Sequence, residues 1–293
     1  MSNLDVEVEV EEVNLAKVRR PDDYHCSCKW CRKFLGVLRK KDGTFYSRNE
    51  RRAYYSKEEI ASTKDEGGGH LAKTPLHIAR WAVQTYTKTG NVVFDPTMGA
   101  GTTAVESLRL GRATFGIELE FVDVILANIK INNPFQMNCK IVRGDALDMT
   151  KILSKNLDWT PFDLIVNNPP YFGDQSQKGM GQSGYTYTPN VKNIALSKGD
   201  YYSKIESLYR QSSDHLRSGG HLVIGVKDQM KNKKPDMLHE KINNVISDTC
   251  GLVYVGTAIL PHHPKTLFLN SYPKQYPGVV IPLYQTIAVW RKP

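Results

Sequence analysis

From Asn91 to Thr103 the chain reads Asn-Val-Val-Phe-Asp-Pro-Thr-Met-Gly-Ala-Gly-Thr-Thr: a short β-branched run, a turn with two glycines, and a hydroxyl-led helix start. Few folds accommodate that order. A buried strand that gives way to a helix through a glycine turn is the opening unit of a doubly wound α/β sheet. The missing side chains let the backbone approach a nucleotide-like ligand there. No lysine precedes Thr102-Thr103, which rules out an ATP or GTP phosphate loop, and the third glycine of the dinucleotide fingerprint is absent.

The rest of the chain continues the alternation. β-branched runs at 91–94, 113–118, 139–142, 163–167, 221–226, 252–259 and 284–290 predict strands, and helical periodicity predicts helices near 102–110, 120–132, 147–156, 200–217 and 237–248. Alternating strands and helices argue for a parallel sheet. The 260–283 connector is rich in Pro and Gly without helical period, so the last strand is expected to return antiparallel. Thr74 followed by Pro75, a capping hydroxyl and then proline at the first helical position, predicts a helix over Leu76 to Tyr86. Residues 70–293 are therefore expected to form one α/β domain.

Residues 1–69 read differently. Asp5 to Asn14 alternates apolar and acidic with period two, which predicts an edge strand. From Arg19 the sequence turns basic, with Phe45, Tyr46, Tyr54 and Tyr55 among its cations, and Gly67-Gly-Gly69 closes it like a hinge. The first sixteen residues hold five acids and no Lys or Arg, so the remainder carries +14 against the whole chain's +9. Such a balance predisposes a protein to polyphosphate partners. With no apolar run of spanning length and no charged-then-apolar leader, no membrane partner is expected and the expected location is the cytoplasm.

Five cysteines, three of them at Cys26, Cys28 and Cys31 beside His25, do not resemble a secreted disulfide framework. The trio invites a zinc reading, but a structural site wants two separated ligand pairs and no second pair follows, so no metal is expected. Cys139 and Cys250 are expected to be core thiols.

A second segment carries chemistry. The run Asp163-Leu-Ile-Val-Asn167 ends in Asn168-Pro169-Pro170-Tyr171, a rigid corner that offers an amide, fixed carbonyls and an aromatic face. Three successive strands also end in acids: Asp95, Glu118 in Gly-Ile-Glu118, and Asp145 in Arg143-Gly-Asp-Ala146. The second-strand acid suits ribose hydroxyls, and the third suits an adenine amino group. An exocyclic amine is a weak nucleophile because its lone pair is delocalised into the ring. Acceptors aimed at its hydrogens, with Asn168 Oδ1 and the Pro169 carbonyl as candidates, draw the nitrogen toward tetrahedral geometry. Tyr171 would stack on the base, with Phe172 in support. Together the two segments point to methyl transfer from S-adenosylmethionine to a base amine.

The stretch from Asp95 to Glu118, with Gly-Ala-Gly-Thr-Thr, Leu-Gly-Arg and Gly-Ile-Glu in register, resembles the cofactor half of the DNA amino-methyltransferases of the N6-adenine and N4-cytosine type. Lys73-Thr74-Pro75 resembles that family's segment contacting the methionine moiety, and Asn168-Pro169-Pro170-Tyr171 resembles its catalytic tetrapeptide. The resemblance covers about residues 70–293 and implies a Rossmann-like seven-stranded sheet with an antiparallel last strand. It also implies S-adenosyl-L-methionine held by Lys73, Thr74, Pro75, Asp95, Pro96, Gly99, Gly101, Thr102, Thr103, Glu118, Asp145, Ala146 and Asn168. The implied partner is double-stranded DNA with the target base flipped out.

Asn at the tetrapeptide's first position is more typical of adenine enzymes, so N6 of adenine is the expected target and restriction-modification the expected setting. Cytosine N4 is the nearest alternative. RNA base or protein glutamine methylation follows, since those families also use Asn-Pro-Pro-Tyr, and then a silent nucleic-acid-binding scaffold. A large separate target-recognition domain is not expected. Recognition would fall to residues 1–69, to the lid-like 173–198 loop and to the 227–235 loop.

Overall fold

The computed structural model describes residues 7–9, 74, 76–119, 121–170, 200–228, 230–231, 234–261 and 284–293. Lys73, Pro75, Tyr171, the cysteine trio, the 173–198 loop and His262-His263 lie outside the described residues.

Ten strands and six α-helices are described. β1 (Glu7–Glu9) precedes α1 (Leu76–Tyr86), β2 (Val92–Asp95), α2 (Thr102–Arg109), β3 (Ala113–Glu118), α3 (Val122–Ile131) and β4 (Cys139–Arg143). Then follow α4 (Met149–Ser154), β5 (Phe162–Asn167), α5 (Tyr201–Asp214), β6 (Leu216–Val226), the short strands β7 (Met230–Lys231) and β8 (Lys234–Pro235), α6 (Leu238–Thr249), β9 (Val253–Pro261) and β10 (Tyr284–Arg291). The sheet order is β1-β4-β3-β2-β5-β6-β10-β9, with β7 and β8 forming a separate two-stranded ribbon.

Pairings β4–β3, β3–β2, β2–β5 and β5–β6 are parallel, whereas β10 is antiparallel to both β6 and β9. Beyond β1, the seven remaining strands of the sheet, the last of them antiparallel, match the expected Rossmann-like architecture. The expected edge strand within 5–14 is described over Glu7–Glu9, antiparallel to β4.

The strands are apolar on both faces, as parallel strands covered by helices must be. On one face Phe94, Phe115, Phe162, Ile165, Leu222, Ile224 and Trp290 pack with Ile205, Leu208 and Tyr209 of α5 and Ile242 and Ile246 of α6. On the other, Val93, Leu164, Val166, Val223, Ile287 and Val289 meet α1 through Ile78, Ala82 and Val83. Ile141 and Cys139 meet Ala104, Leu108 and Ile125 of α2 and α3 there as well. The Phe94 and Phe162 rings stack at 4.4 Å. Along β5, Phe162 and Ile165 share a face although three residues apart, because the ladder to β6 shifts register between Phe162 and Leu164.

The chain order reverses at one place. β2 leads outward through β3 to β4, and β5 leads the other way through β6. The crevice beyond the carboxyl ends of adjacent β2 and β5 is thus the topological switch point, where open α/β sheets bind ligands.

Candidate active site

Both motifs arrive at that crevice. β2 ends at Asp95 and β5 at Asn167, so the Pro96–Gly101 turn and the Asn168-Pro169-Pro170 corner leave the sheet side by side. The turn is built around left-handed backbone: Gly99 has φ 56° and Gly101, the residue before α2, has φ 81°. A Cβ on Gly101 would sit 2.9 Å from Ile125 Cγ2, so sterics and backbone conformation both require glycine.

Asp95 is 3% exposed and forms the floor of the turn. Its carboxylate accepts hydrogen bonds from Thr103 Oγ1 (2.6 Å), Thr97 N (3.1 Å) and Asn167 Nδ2 (3.1 Å). Burial pushes its pKa up to about 6, and the three hydrogen bonds pull the other way. Thr103, and Thr102 beside it, are buried at the start of α2. Pro96 is buried in the turn and Thr74 is half-buried.

Glu118, 5% exposed, lies at the tip of β3. It accepts from Gly99 N (2.7 Å) and Phe121 N (3.3 Å), tying the glycine turn to the neighbouring strand. Asp145 follows β4 and accepts from Leu147 N (2.9 Å), with Ala146 buried behind it. The three expected acids therefore stand on adjacent strand ends of one rim. Two left-handed glycines and this acidic rim fit an adenosine-containing cation, which needs close backbone approach and a negative environment.

On the β5 side, Asn168 and Pro170 are half-buried and Pro169 is buried. Tyr201 Oη donates to the Pro170 carbonyl (2.9 Å), so α5 holds the corner from one flank. Gln285 Nε2, from β10, donates to Asn168 Oδ1 (3.3 Å).

Asn167 joins the halves. It is 1% exposed, donates to Asp95 Oδ1 and Thr97 Oγ1 (2.7 Å), and accepts from Tyr209 Oη (2.7 Å). Sequence reading singled out Asn168 and passed over Asn167, Tyr201, Tyr209 and Gln285. A second amide directly before the tetrapeptide, in an otherwise apolar strand, was the available signal for Asn167. Gln285 had only its polarity within an apolar final strand.

Cys139 is buried in β4, where burial raises its pKa, and Cys250 caps α6, half-buried against the core rather than within a strand. Among the described residues no group of three His, Cys, Asp or Glu is disposed to hold a metal, and no helix is long and apolar enough to cross a membrane.

The family model described as a DNA methylase matches residues 3–126. The Type II methyltransferase M.MjaII of Methanocaldococcus jannaschii is 29% identical over 165 residues, 53% of this chain and 31% of that protein. The release factor glutamine methyltransferase of Lactococcus lactis subsp. lactis is 30% identical over 143 residues, 46% of this chain and 47% of that protein. The chain spans between about a third and about half of the length of these curated relatives. Among solved structures, TrmN from Thermus thermophilus is similar over 76% of this chain and 50% of that one, with 14% identity and a TM-score of 0.48. Strand order, and not that likeness, carries the fold assignment. The glycine turn and the Asn-Pro-Pro corner meet at one crevice, and the DNA methylase match covers the former, so over that part the chain is similar to the DNA N4/N6 methyltransferases.

Proposed function

We propose that this chain transfers a methyl group from S-adenosylmethionine to the N6 amino group of adenine in DNA, with the base flipped out or already unpaired. The observation that carries the reading is the Asp95–Asn167 hydrogen bond. It fixes the glycine turn and the Asn168 corner at a set separation, so a cofactor on one and a base amine on the other would meet in line.

S-adenosylmethionine, when bound, supplies an electrophilic methyl group. Its holders would be Lys73, Thr74 and Pro75, the turn Asp95, Pro96, Gly99, Gly101, Thr102 and Thr103, the rim residues Glu118, Asp145 and Ala146, and Asn168. This chain's part is then binding and orientation. Asn168 Oδ1 and the Pro169 carbonyl accept the amine hydrogens, which frees the nitrogen lone pair. The Pro170 carbonyl is already taken by Tyr201 Oη, and that bond keeps the corner rigid. Tyr171 would stack on the base. Transfer of that methyl group to the amine would leave the nitrogen with one proton to release to solvent, so no strong base would be required. Location in the cytoplasm, a role in restriction-modification and a basic recognition region over residues 1–69 belong to the same reading.

Glutamine methylation is the second reading, favoured by the similarity to the release factor enzyme over 143 residues. The discriminating assay is transfer of labelled methyl to unmethylated duplex DNA, with digestion to nucleosides and mass spectrometry, and Asn168→Ala as control. N6-methyldeoxyadenosine that vanishes with Asn168→Ala is the expected result. N4-methyldeoxycytidine would overturn the base assignment. Label in RNA or on a protein glutamine would overturn DNA as substrate.

A further inference from the structure

Gln285 and Gly225 form a built contact around the catalytic amide that the proposed chemistry does not itself require. Gln285 lies on β10, is 5% exposed, and donates Nε2–H to Asn168 Oδ1 at 3.3 Å, across 117 residues of sequence. The register of β10 against β6 pairs Thr286 with Val226 and Ile287 with Gly225, which brings the Gln285 side chain over the Gly225 backbone. A Cβ on Gly225 would stand 2.8 Å from Gln285 Nε2 and 3.1 Å from Asn168 Oδ1. Glycine is thus the residue type that leaves room for this amide pair, within a strand whose neighbours Val223, Ile224 and Val226 are buried apolar residues.

We infer that Gln285 is a positioning residue that selects the orientation of the Asn168 amide. An asparagine side chain can turn end for end at little steric cost, exchanging its oxygen for its NH2 group. Only the oxygen can accept a hydrogen from a base amine. By donating to one lone pair of Oδ1, Gln285 fixes the oxygen on its own side and leaves the second lone pair for the substrate. The hydrogen bond also polarises the amide carbonyl, which strengthens it as an acceptor. The inference rests on the reading of Asn168 as the amine-binding group.

The discriminating variant is Gln285→Glu, which keeps the shape and replaces the donor with a titratable group. An ionised carboxylate at this buried position can only accept, so Asn168 turns its NH2 toward it and withdraws the oxygen. A protonated carboxyl group can donate as the amide does. Single-turnover methyl transfer by Gln285→Glu is expected to be about tenfold or more below wild type at pH 8, recovering as pH falls toward 5.5. Gln285→Leu is expected to be slow at every pH. A merely structural role would lower both variants without reshaping the pH profile.

A Gln285→Glu profile parallel to wild type, or a rate within twofold of it at pH 8, would overturn the inference. If the wild-type chain transfers no methyl group, the functional reading fails instead, and a second measurement still decides this one. The side-chain 15N–1H signals of Asn168, assigned by their loss in Asn168→Ser, should move in Gln285→Leu and should titrate in Gln285→Glu. Signals indifferent to both substitutions would overturn it.

Discussion

Asp95 puts a carboxylate where the solvent cannot reach it, and that has a measurable consequence. Its pKa stands at about 6 against an ordinary 3.8, because desolvation outweighs the hydrogen bonds from Thr103, Asn167 and Thr97. The folded chain therefore holds this proton more tightly than the unfolded chain does. Stability tied to the group is fully present below pH 3.8, declines as pH rises through the window up to about 6, and is constant above it. At 1.36 kcal/mol per pH unit the loss is about 3 kcal/mol. Asp95→Asn cannot ionise and keeps the shape. In urea titrations from pH 4 to 7.5, wild type should lose about 2 kcal/mol of that relative to Asp95→Asn, the rest having gone below pH 4. Taking the difference between the two proteins cancels the titration of His215 and His221, whose pKa values burial lowers. A difference that stays flat across the window would refute the reasoning.

Two further substitutions test the scaffold around the site. Tyr209→Phe removes the donor to Asn167 Oδ1 and leaves that oxygen buried; unfolding free energy should fall by about 1–3 kcal/mol in denaturant titration, and an unchanged midpoint would mean the amide is satisfied otherwise. Glu106, fully buried between α1 and α2, pairs with Arg80 and with Arg109 Nη1 at 3.1 Å. Glu106→Gln strips the charge from between two guanidinium groups and should cost about 3–5 kcal/mol by the same assay, with a loss under about 1 kcal/mol counting against a charge-paired interface.

What the sequence disclosed was local, and what it hid was pairing. Thr74-Pro75 announced a helix that the structure carries over Leu76–Tyr86, and the β-branched runs announced β2 to β5 within a residue or two. β6 starts at Leu216, five residues before the expected strand, because Leu216 pairs with Phe162 and Gly219 and Gly220 bond to Lys292. Arg217-Ser-Gly-Gly220 carries no strand pattern of its own, so only its tertiary partners make it one. The predicted helix over 147–156 contracts to Met149–Ser154 with a 3-10 turn on each side. At the site, the positions of Asp95 and Glu118 at strand ends, and of Asp145 and Asn168 just beyond them, follow from the β-branched runs that precede them. Tyr209 and Gln285 were not, since their partners lie 42 and 117 residues away and are set by helix docking and ladder register.

That dependence on register gives the buried polar cluster a second use. β2 and β5 meet through Val93 opposite Leu164 and Phe94 opposite Ile165, a ladder of apolar residues with little chemical individuality. A slip of one residue would still bury aliphatic side chains, but would turn every side chain of β5 to the opposite face. It would also carry Asn167 away from Asp95 and Thr97 on one side and from Tyr209 on the other. Asn167 would then lose its partners on both sides, at about 1–3 kcal/mol for each unmet buried group, and Asp95 would keep only Thr103 and the Thr97 amide. The Asp95–Asn167–Tyr209 cluster therefore discriminates between registers that the apolar ladder alone scarcely distinguishes. The register it selects is the one that sets the glycine turn beside Asn168, so the same few hydrogen bonds specify the sheet and align the site.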